Sequence, residues 1–521
     1  MADELAGSLA EGLHAAGIRK IFGMPGGGPN LDMIGLAEER GIDFVLAHTE
    51  AAACVMAASF GRLTGTPGAA IVTRGPGFTS ASNGLAQATL DRFPLLLVSD
   101  CVSSATASRT AHQRLDQVAA ARPLTKWSGT LGTADPVGVV QTACRLALAA
   151  PAGAVHLAFD PTTPGDRPPE DAPGPRAEEE LLARAREAIG SARRPLVVLG
   201  LDAVRHSGQV RECLAELDCP VLVTYEAKGV IPESWSTYAG MFTGAVLERP
   251  LLERADLIIG LGLDPVEPMP GQWLYAAPVL LLHGHRIETG YFGDPLHVVG
   301  SYDADLLPLV AGCRPQWQHG AGAEARSLDL ARLEVQTRGL NPQDVVRTTQ
   351  ACVGDVLATV DAGAHMLVTM PLWHTDEASS VLISNGLATM GFALPAAIGM
   401  ALAHPGRRVT CLVGDGGLSM VQAELETLAR LALDVTVVVF NDATLTLIKL
   451  KQQPGRSGHG AVSFGNVDYA GVAVAMGVDA EVVRDVAELK AALGRGRPGP
   501  LLVDARIDQG AYPHVIRTIR G

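Results

Sequence analysis

The stretch Cys411-Leu412-Val413-Gly414-Asp415-Gly416-Gly417 decides how the chain folds and where its chemistry sits. An apolar run ends in glycines and a carboxylate, and the amphipathic VQAELETLARL begins at Val421. Strand, glycine turn and helix in that order make an α/β unit. Its turn offers unpaired backbone N–H groups and a carboxylate, which suits a phosphate held through a divalent cation. A tripeptide such as Gly414-Asp415-Gly416 also forms plain tight turns. The next strand, VTVVVF from Val435 to Phe440, argues for more, because it delivers Asn441 and Asp442 at its carboxyl end. Asp442 follows Asp415 by 27 positions, and adjoining strand ends would bring both oxygen donors to one cation.

Outward from this stretch, the same style recurs. The section beginning near Asn341 holds a helix, the apolar run MLVTM, the glycine-broken SNGLATMGFALP from Ser384 to Pro395, a helix, and then the two strands already named. A first section, to about residue 165, carries Ile71 to Thr73 before Gly75-Pro76-Gly77, and Leu95 to Val98 after Pro94. Short β-branched runs between helices are what a parallel sheet covered on both faces requires. The stretch TTPGDRPPEDAPGPRAEEE, Thr162 to Glu180, has too many Pro and Gly for a helix or central strand. After it come RPLVVLG, CPVLVTY, ADLIIGLG and APVLLLHG, four strands of a middle section that closes at the polar GAGAEARS, Gly320 to Ser327. The predicted fold class is therefore α/β, with three doubly wound parallel-sheet domains at 1–165, 183–320 and 341–521, joined by linkers at 166–182 and 321–340.

Composition removes several classes of function. With 47% hydrophobic and 18% charged residues, the 521-residue chain has enough apolar surface to fold, which excludes a disordered protein. Fifty-five acidic against forty-one basic residues give a net charge of −14, opposite to what a nucleic-acid backbone attracts. The eight Cys include no CxxC pair, so a reduced, cytoplasmic protein without a cysteine-built zinc site is expected. The opening MADELAGSLAEG has acids where a secretory leader has bases. The most apolar segment, Gly386 to Ala403, is broken by Thr and Pro and is mostly Gly and Ala, so no membrane span is expected.

With these residues in view, the chain resembles the thiamine-diphosphate-dependent enzymes, and among them the acetolactate synthase and benzoylformate decarboxylase group. The family signature, GDG followed some 25 residues later by NN, reads here as Gly414-Asp415-Gly416 with Asn441-Asp442. The resemblance implies that the three domains bind the pyrimidine, form the centre and bind the diphosphate. It also implies thiamine diphosphate and Mg²⁺ as cofactors. Asp415, Asp442 and the backbone carbonyl of Thr444 would ligate the metal, with Asp442 standing where the family usually has Asn. The segment FGMPGGGPNLDM places Gly27 beside the aminopyrimidine, and HTEAAACVMAASFGRLTGTPG places Glu50 at the family's glutamate. TRGPG (Thr73 to Gly77) and AHQ (Ala111 to Gln113) also match, as does DAGAHM, which makes Gly363 and His365 diphosphate contacts alongside Gly416 and Gly417. In SNGLATMG, Met390 would prop the two cofactor rings. A carboxylate at Glu50 would stabilise the protonated pyrimidine by a charge-assisted hydrogen bond.

The implied reaction is decarboxylation of a 2-keto acid with transfer of the acyl fragment to a second carbonyl acceptor. A simple non-oxidative decarboxylase of the benzoylformate decarboxylase kind is the alternative. Gln113 matches a glutamine that faces the reacting carbonyl, whereas His112 stands where acetolactate synthases carry Phe. In ATLTLIKLKQ, Leu447 and Ile448 keep an apolar wall for the substrate pocket and Lys451 replaces a pocket-shaping Trp. After ADLIIGLG the chain reads Leu263-Asp264-Pro265-Val266-Glu267-Pro268, without the arginines of flavin-containing relatives, so bound FAD is not expected. That strand also lacks GxGxxG, which argues against a dinucleotide oxidoreductase. A homodimer or dimer of dimers is implied, with each site shared between chains. The small-residue face of Ala51, Ala52, Ala53, Ala57 and Ala58 either forms that interface or packs within its own chain.

Overall fold

The computed structural model describes residues 1–170, 174–354, 357–452, 459–494 and 498–521. Residues 171–173 of the expected linker lie outside them. Three six-stranded sheets carry the fold, and every strand pairing in them is parallel. The first sheet consists of β1 (Lys20–Met24), β2 (Asp43–Leu46), β3 (Gly68–Val72), β4 (Leu95–Asp100), β5 (Trp127–Leu131) and β6 (Ala154–Phe159). The second contains β7 (Pro195–Leu199), β8 (Val221–Val223), β9 (Tyr238–Met241), β10 (Leu257–Leu261), β11 (Val279–His283) and β12 (Leu296–Val299). The third contains β13 (Leu357–Val360), β14 (Val381–Ile383), β15 (Val409–Gly414), β16 (Val435–Asn441), β17 (Asp479–Val483) and β18 (Leu501–Arg506).

Strand order separates the three. The first sheet runs β2-β1-β3-β4-β6-β5, and the third runs β14-β13-β15-β16-β18-β17, the same order. The middle sheet runs β12-β11-β10-β7-β8-β9, which reverses direction between β7 and β10. Ligands of such sheets bind outside the carboxyl ends of the strands, where order reverses. The central strands are continuous apolar runs because helices cover both faces; β3, β4, β10 and β16 are buried throughout.

One segment differs from expectation. The stretch 321–340, expected as a linker, contains the helix Ala321–Leu333. Its polar composition is that of an exposed face, while Gly322 lies so close to the chain before β9 that a β-carbon there would sit 2.3 Å from the Thr237 carbonyl oxygen. The apolar run MLVTM belongs to the helix Ala364–Leu372, and Leu367, Val368 and Met370 are buried in it.

The helix Glu50–Thr64 shows how first and third domains meet. Thr49 caps it by accepting from the Ala52 N–H at 3.2 Å, and Gly65, at φ 73°, ends it. Ala52, Ala53, Ala57 and Ala58 are buried within the single chain. Gly399 of the helix Ala393–Ala403 approaches until a β-carbon would stand 2.4 Å from the Met56 carbonyl oxygen. Most of this small-residue face is thus used inside the chain. Among the described residues no helix is long and apolar enough to cross a membrane.

Candidate functional site

At the carboxyl edge of the third sheet, β15 ends on Gly414 and passes directly into the helix Asp415–Val421. Asp415 is 3% exposed. Its Oδ1 accepts from the Gly416 N–H at 2.7 Å, and its Oδ2 accepts from the N–H groups of Asp442 at 3.1 Å and Ala443 at 2.6 Å. The two strand ends are therefore joined through one carboxylate. Asp442 in turn accepts from the Thr444 N–H at 3.1 Å and the Thr446 hydroxyl at 2.5 Å. Burial, together with the charge of Asp442, pushes Asp415 up to about 7, and burial raises Asp442 as well. Two carboxyl groups that resist ionisation side by side form a hard-oxygen set that a divalent cation would stabilise.

Around them lies a cradle without side chains. A β-carbon on Gly417 would fall 1.9 Å from Asp361 Oδ2, one on Gly416 would fall 2.7 Å from Leu445 and 3.3 Å from the Met390 methyl, and one on Gly414 would touch the His365 ring at 3.1 Å. Gly363 packs on the same ring. His365 is buried, stacks on Phe440 with centroids 5.3 Å apart, and has no partner for Nε2. Burial pushes it down to about 4, so the imidazole is neutral and one ring nitrogen carries a proton to donate. A buried polar atom without a partner costs free energy, which a group bound at that place would offset. These observations fit a diphosphate bound through Mg²⁺.

The first sheet gathers the other expected residues at its own carboxyl edge. They converge on the turn Thr73–Gly77 that follows β3. A β-carbon on Gly26, next to Gly27, would collide with Thr73 at 2.3 Å; one on Gly77 would stand 3.2 Å from Glu50 Oε1; one on Gly75 would meet Gln113 at 3.0 Å. Gly75 has φ 63° and Gln113 φ 56°, so the turn and the residue against it both use left-handed backbone. Glu50 is half-buried at the start of its helix, while Gly27, His112 and Gln113 are exposed. Among the described residues no hydrogen bond joins Glu50 or Gln113 to Asp415 or Asp442.

Three models of one family cover most of these elements. They are the thiamine pyrophosphate enzyme N-terminal TPP binding domain at residues 3–120, the central domain at 182–279 and the C-terminal TPP binding domain at 361–505. The chain belongs to the thiamine-pyrophosphate-dependent enzymes, in their acetolactate-synthase-like group. It is 30% identical to the catabolic acetolactate synthase of Raoultella terrigena over 96% of this chain and 94% of that protein. It is 29% identical to the acetolactate synthase isozyme 1 large subunit of Escherichia coli over 96% and 94%. With the acetolactate synthase of Bacillus subtilis the figures are 28%, 94% and 91%.

Within this thiamine-pyrophosphate enzyme, four neighbours of the site escaped the sequence. Asp361 accepts from the N–H groups of Gly391 at 3.0 Å and Phe392 at 2.9 Å, clamping the loop that carries Met390. It opens the DAGAHM segment itself, so the signal was in hand. Tyr469 donates to the Asp415 carbonyl at 3.0 Å, and Gln117 holds the Thr73–Gly77 turn by accepting from the Gly75 N–H at 3.0 Å. Lys449 donates to Gln509 at 3.0 Å, and its charge acts on Asp442. Lys451 and Ile448 are exposed, and Leu447 packs on the core.

Proposed function

We propose that the chain uses thiamine diphosphate and Mg²⁺ to decarboxylate a 2-keto acid and to transfer the acyl fragment to a second carbonyl compound. The observation that carries the reading is the joining of Asp415 and Asp442 at adjoining strand ends, beside the unpartnered Nε2 of His365. When bound, the cofactor supplies the electron sink that lets a 2-keto acid lose CO₂. Asp415, Asp442 and the Thr444 carbonyl hold Mg²⁺. Gly363, Gly414, Gly416 and Gly417 leave room for the diphosphate, and His365 contacts it. Met390, against Gly416, keeps the cofactor's rings in place. Glu50 holds the proton of the pyrimidine nitrogen through a charge-assisted hydrogen bond. Gln113 and His112 face the substrate carbonyl, with Leu447 and Ile448 as its apolar wall and Lys451 as a cation at the mouth. We infer no bound FAD, because the segment after β10 lacks the arginines of flavin-containing relatives and carries Asp264 at its turn.

Transfer, rather than decarboxylation alone, is favoured by the relatives' name of acetolactate synthase. A panel of 2-keto acid donors with aldehyde or keto acid acceptors, read for both CO₂ and ligated product, tests it. Ligated product with Mg²⁺ and cofactor is expected. CO₂ release with free aldehyde as the only product would move the chain to simple decarboxylation.

A further inference from the structure

The middle sheet carries a second group of metal-ligating side chains, in a place that the proposed chemistry does not use. Asp202 follows β7, His283 ends β11 and His285 comes two residues later. One ligand atom from each lies within 4.8 Å of the others. The group sits at the carboxyl edge beside the point where strand order reverses between β7 and β10, the ligand crevice of such sheets.

Each residue is prepared by its surroundings. Nε2 of His283 stands 3.0 Å from the Leu263 carbonyl oxygen, which has no proton, so this nitrogen must be the N–H that donates. Nδ1 therefore carries the lone pair, and it is buried without a hydrogen-bond partner. A histidine that donates one ring N–H to a backbone carbonyl and leaves the other nitrogen free is arranged as metal-ligating histidines are. Asp202 is oriented by the Gly284 N–H at 2.9 Å and the Tyr302 hydroxyl at 3.2 Å, both on Oδ2. Its Oδ1 is left facing His285 Nδ1 at 3.5 Å, too far for a hydrogen bond. Nε2 of His285 is buried and without a hydrogen-bond partner. Two unsatisfied imidazole nitrogens beside one oriented carboxylate are costly unless something is bound there.

We propose that Asp202, His283 and His285 bind a divalent transition-metal ion of the Zn²⁺ type. Two imidazoles and one carboxylate select such an ion over Mg²⁺, which prefers oxygen. Bonds of about 2.0 Å place ligand atoms about 3.3 Å apart in a tetrahedron, and side-chain torsions supply that contraction. Three protein ligands leave a fourth position. Asp202 and His285 line a crevice between the first and middle domains together with Arg62 and Arg205, so this position opens toward water or an anion.

Co²⁺ is the probe, because nitrogen-rich, low-coordinate sites give it visible ligand-field bands. Protein stripped by a chelator and returned to excess Mg²⁺ is titrated with Co²⁺. The expected result is about one Co²⁺ per chain with bands that Zn²⁺ removes. H285A and H283Q should each abolish the bands, D202N should weaken binding at least about tenfold, and D415A should keep them. H285A, at the end of the cluster, decides the matter if H283Q fails to fold. A wild-type protein without bands, bands that survive H285A, or bands lost in D415A would each overturn the site. The first of these would leave Asp202 and His285 as an ordinary ion pair.

Discussion

The first and third sheets share one strand order and present their working residues at the same edge, yet the two edges are built differently. The third edge is closed and charged: Asp415 is buried, its oxygens are filled by backbone donors, and glycines press against His365 and Asp361. The first edge is open: Glu50 is half-buried, and Gln113 and Gly27 face solvent. A dense anion with its cation needs many donors fixed in advance, whereas a flat heterocycle needs one acceptor and a surface. One topology thus gives two kinds of edge, distinguished by what the strand ends carry.

The largest expected effect comes from the closed edge. Outer partners of metal ligands contribute about 10–100-fold to affinity, so removing a ligand should exceed that. D415A is expected to lose at least about 100-fold in affinity for thiamine diphosphate, measured by calorimetry with Mg²⁺. Equal affinity in mutant and wild type would remove Asp415 from the metal site. At the open edge the effect should fall on rate instead. E50Q keeps shape and loses charge, and should slow exchange of the cofactor's thiazolium proton by about 10²-fold, with much less change in binding. NMR of the bound cofactor reads this directly.

How far the sequence reached differs between the edges in the same way. Asp415 and Asp442 were legible because a strand, a glycine turn and a second strand fix their relation locally. The convergence of Gly26, Glu50 and Gln113 on Thr73–Gly77 was not legible from spacing, since it depends on which strands are neighbours. Tyr469 was hidden for a related reason: it lies in an apolar helix 54 residues from Asp415 and reads as core. At the end of the short helix Thr446–Lys449, Lys449 donates to Gln509 at 3.0 Å and its charge acts on Asp442, while Lys451 beyond the helix is exposed. The alanines of helix 50–64 looked available to a partner chain, but small residues serve any close contact, and here they serve an internal one.

Two smaller effects sharpen the contrast. Asp415 is raised from 3.8 to about 7 in the metal-free protein. Its contribution to folding stability is then fully present below pH 3.8 and lost as pH rises through about 7. Mg²⁺ binds the ionised form, so the rise in Tm on adding Mg²⁺ should be larger at pH 8 than at pH 5, and D415N should erase that difference. An equal rise at both pH values would separate the metal from Asp415. The smallest effect belongs to Y469F, which removes the hydroxyl that donates to the Asp415 carbonyl and pairs with Ser419 Oγ at 2.6 Å. It should cost about 0.5–1.5 kcal/mol in denaturant unfolding and leave Mg²⁺ selectivity unchanged.

The claim that the two edges are complementary halves of one site, supplied by different chains, has a direct test. E50Q chains keep a sound third edge, and D415A chains keep a sound first edge. Neither should be active alone. Mixed under conditions that allow subunit exchange, they should recover activity, because one of the two sites in each hybrid dimer is then built from two sound halves. Recovery in proportion to the hybrid fraction seen by native mass spectrometry is the expected result, whereas mixed dimers without activity would show that each chain completes its own site and would contradict the account.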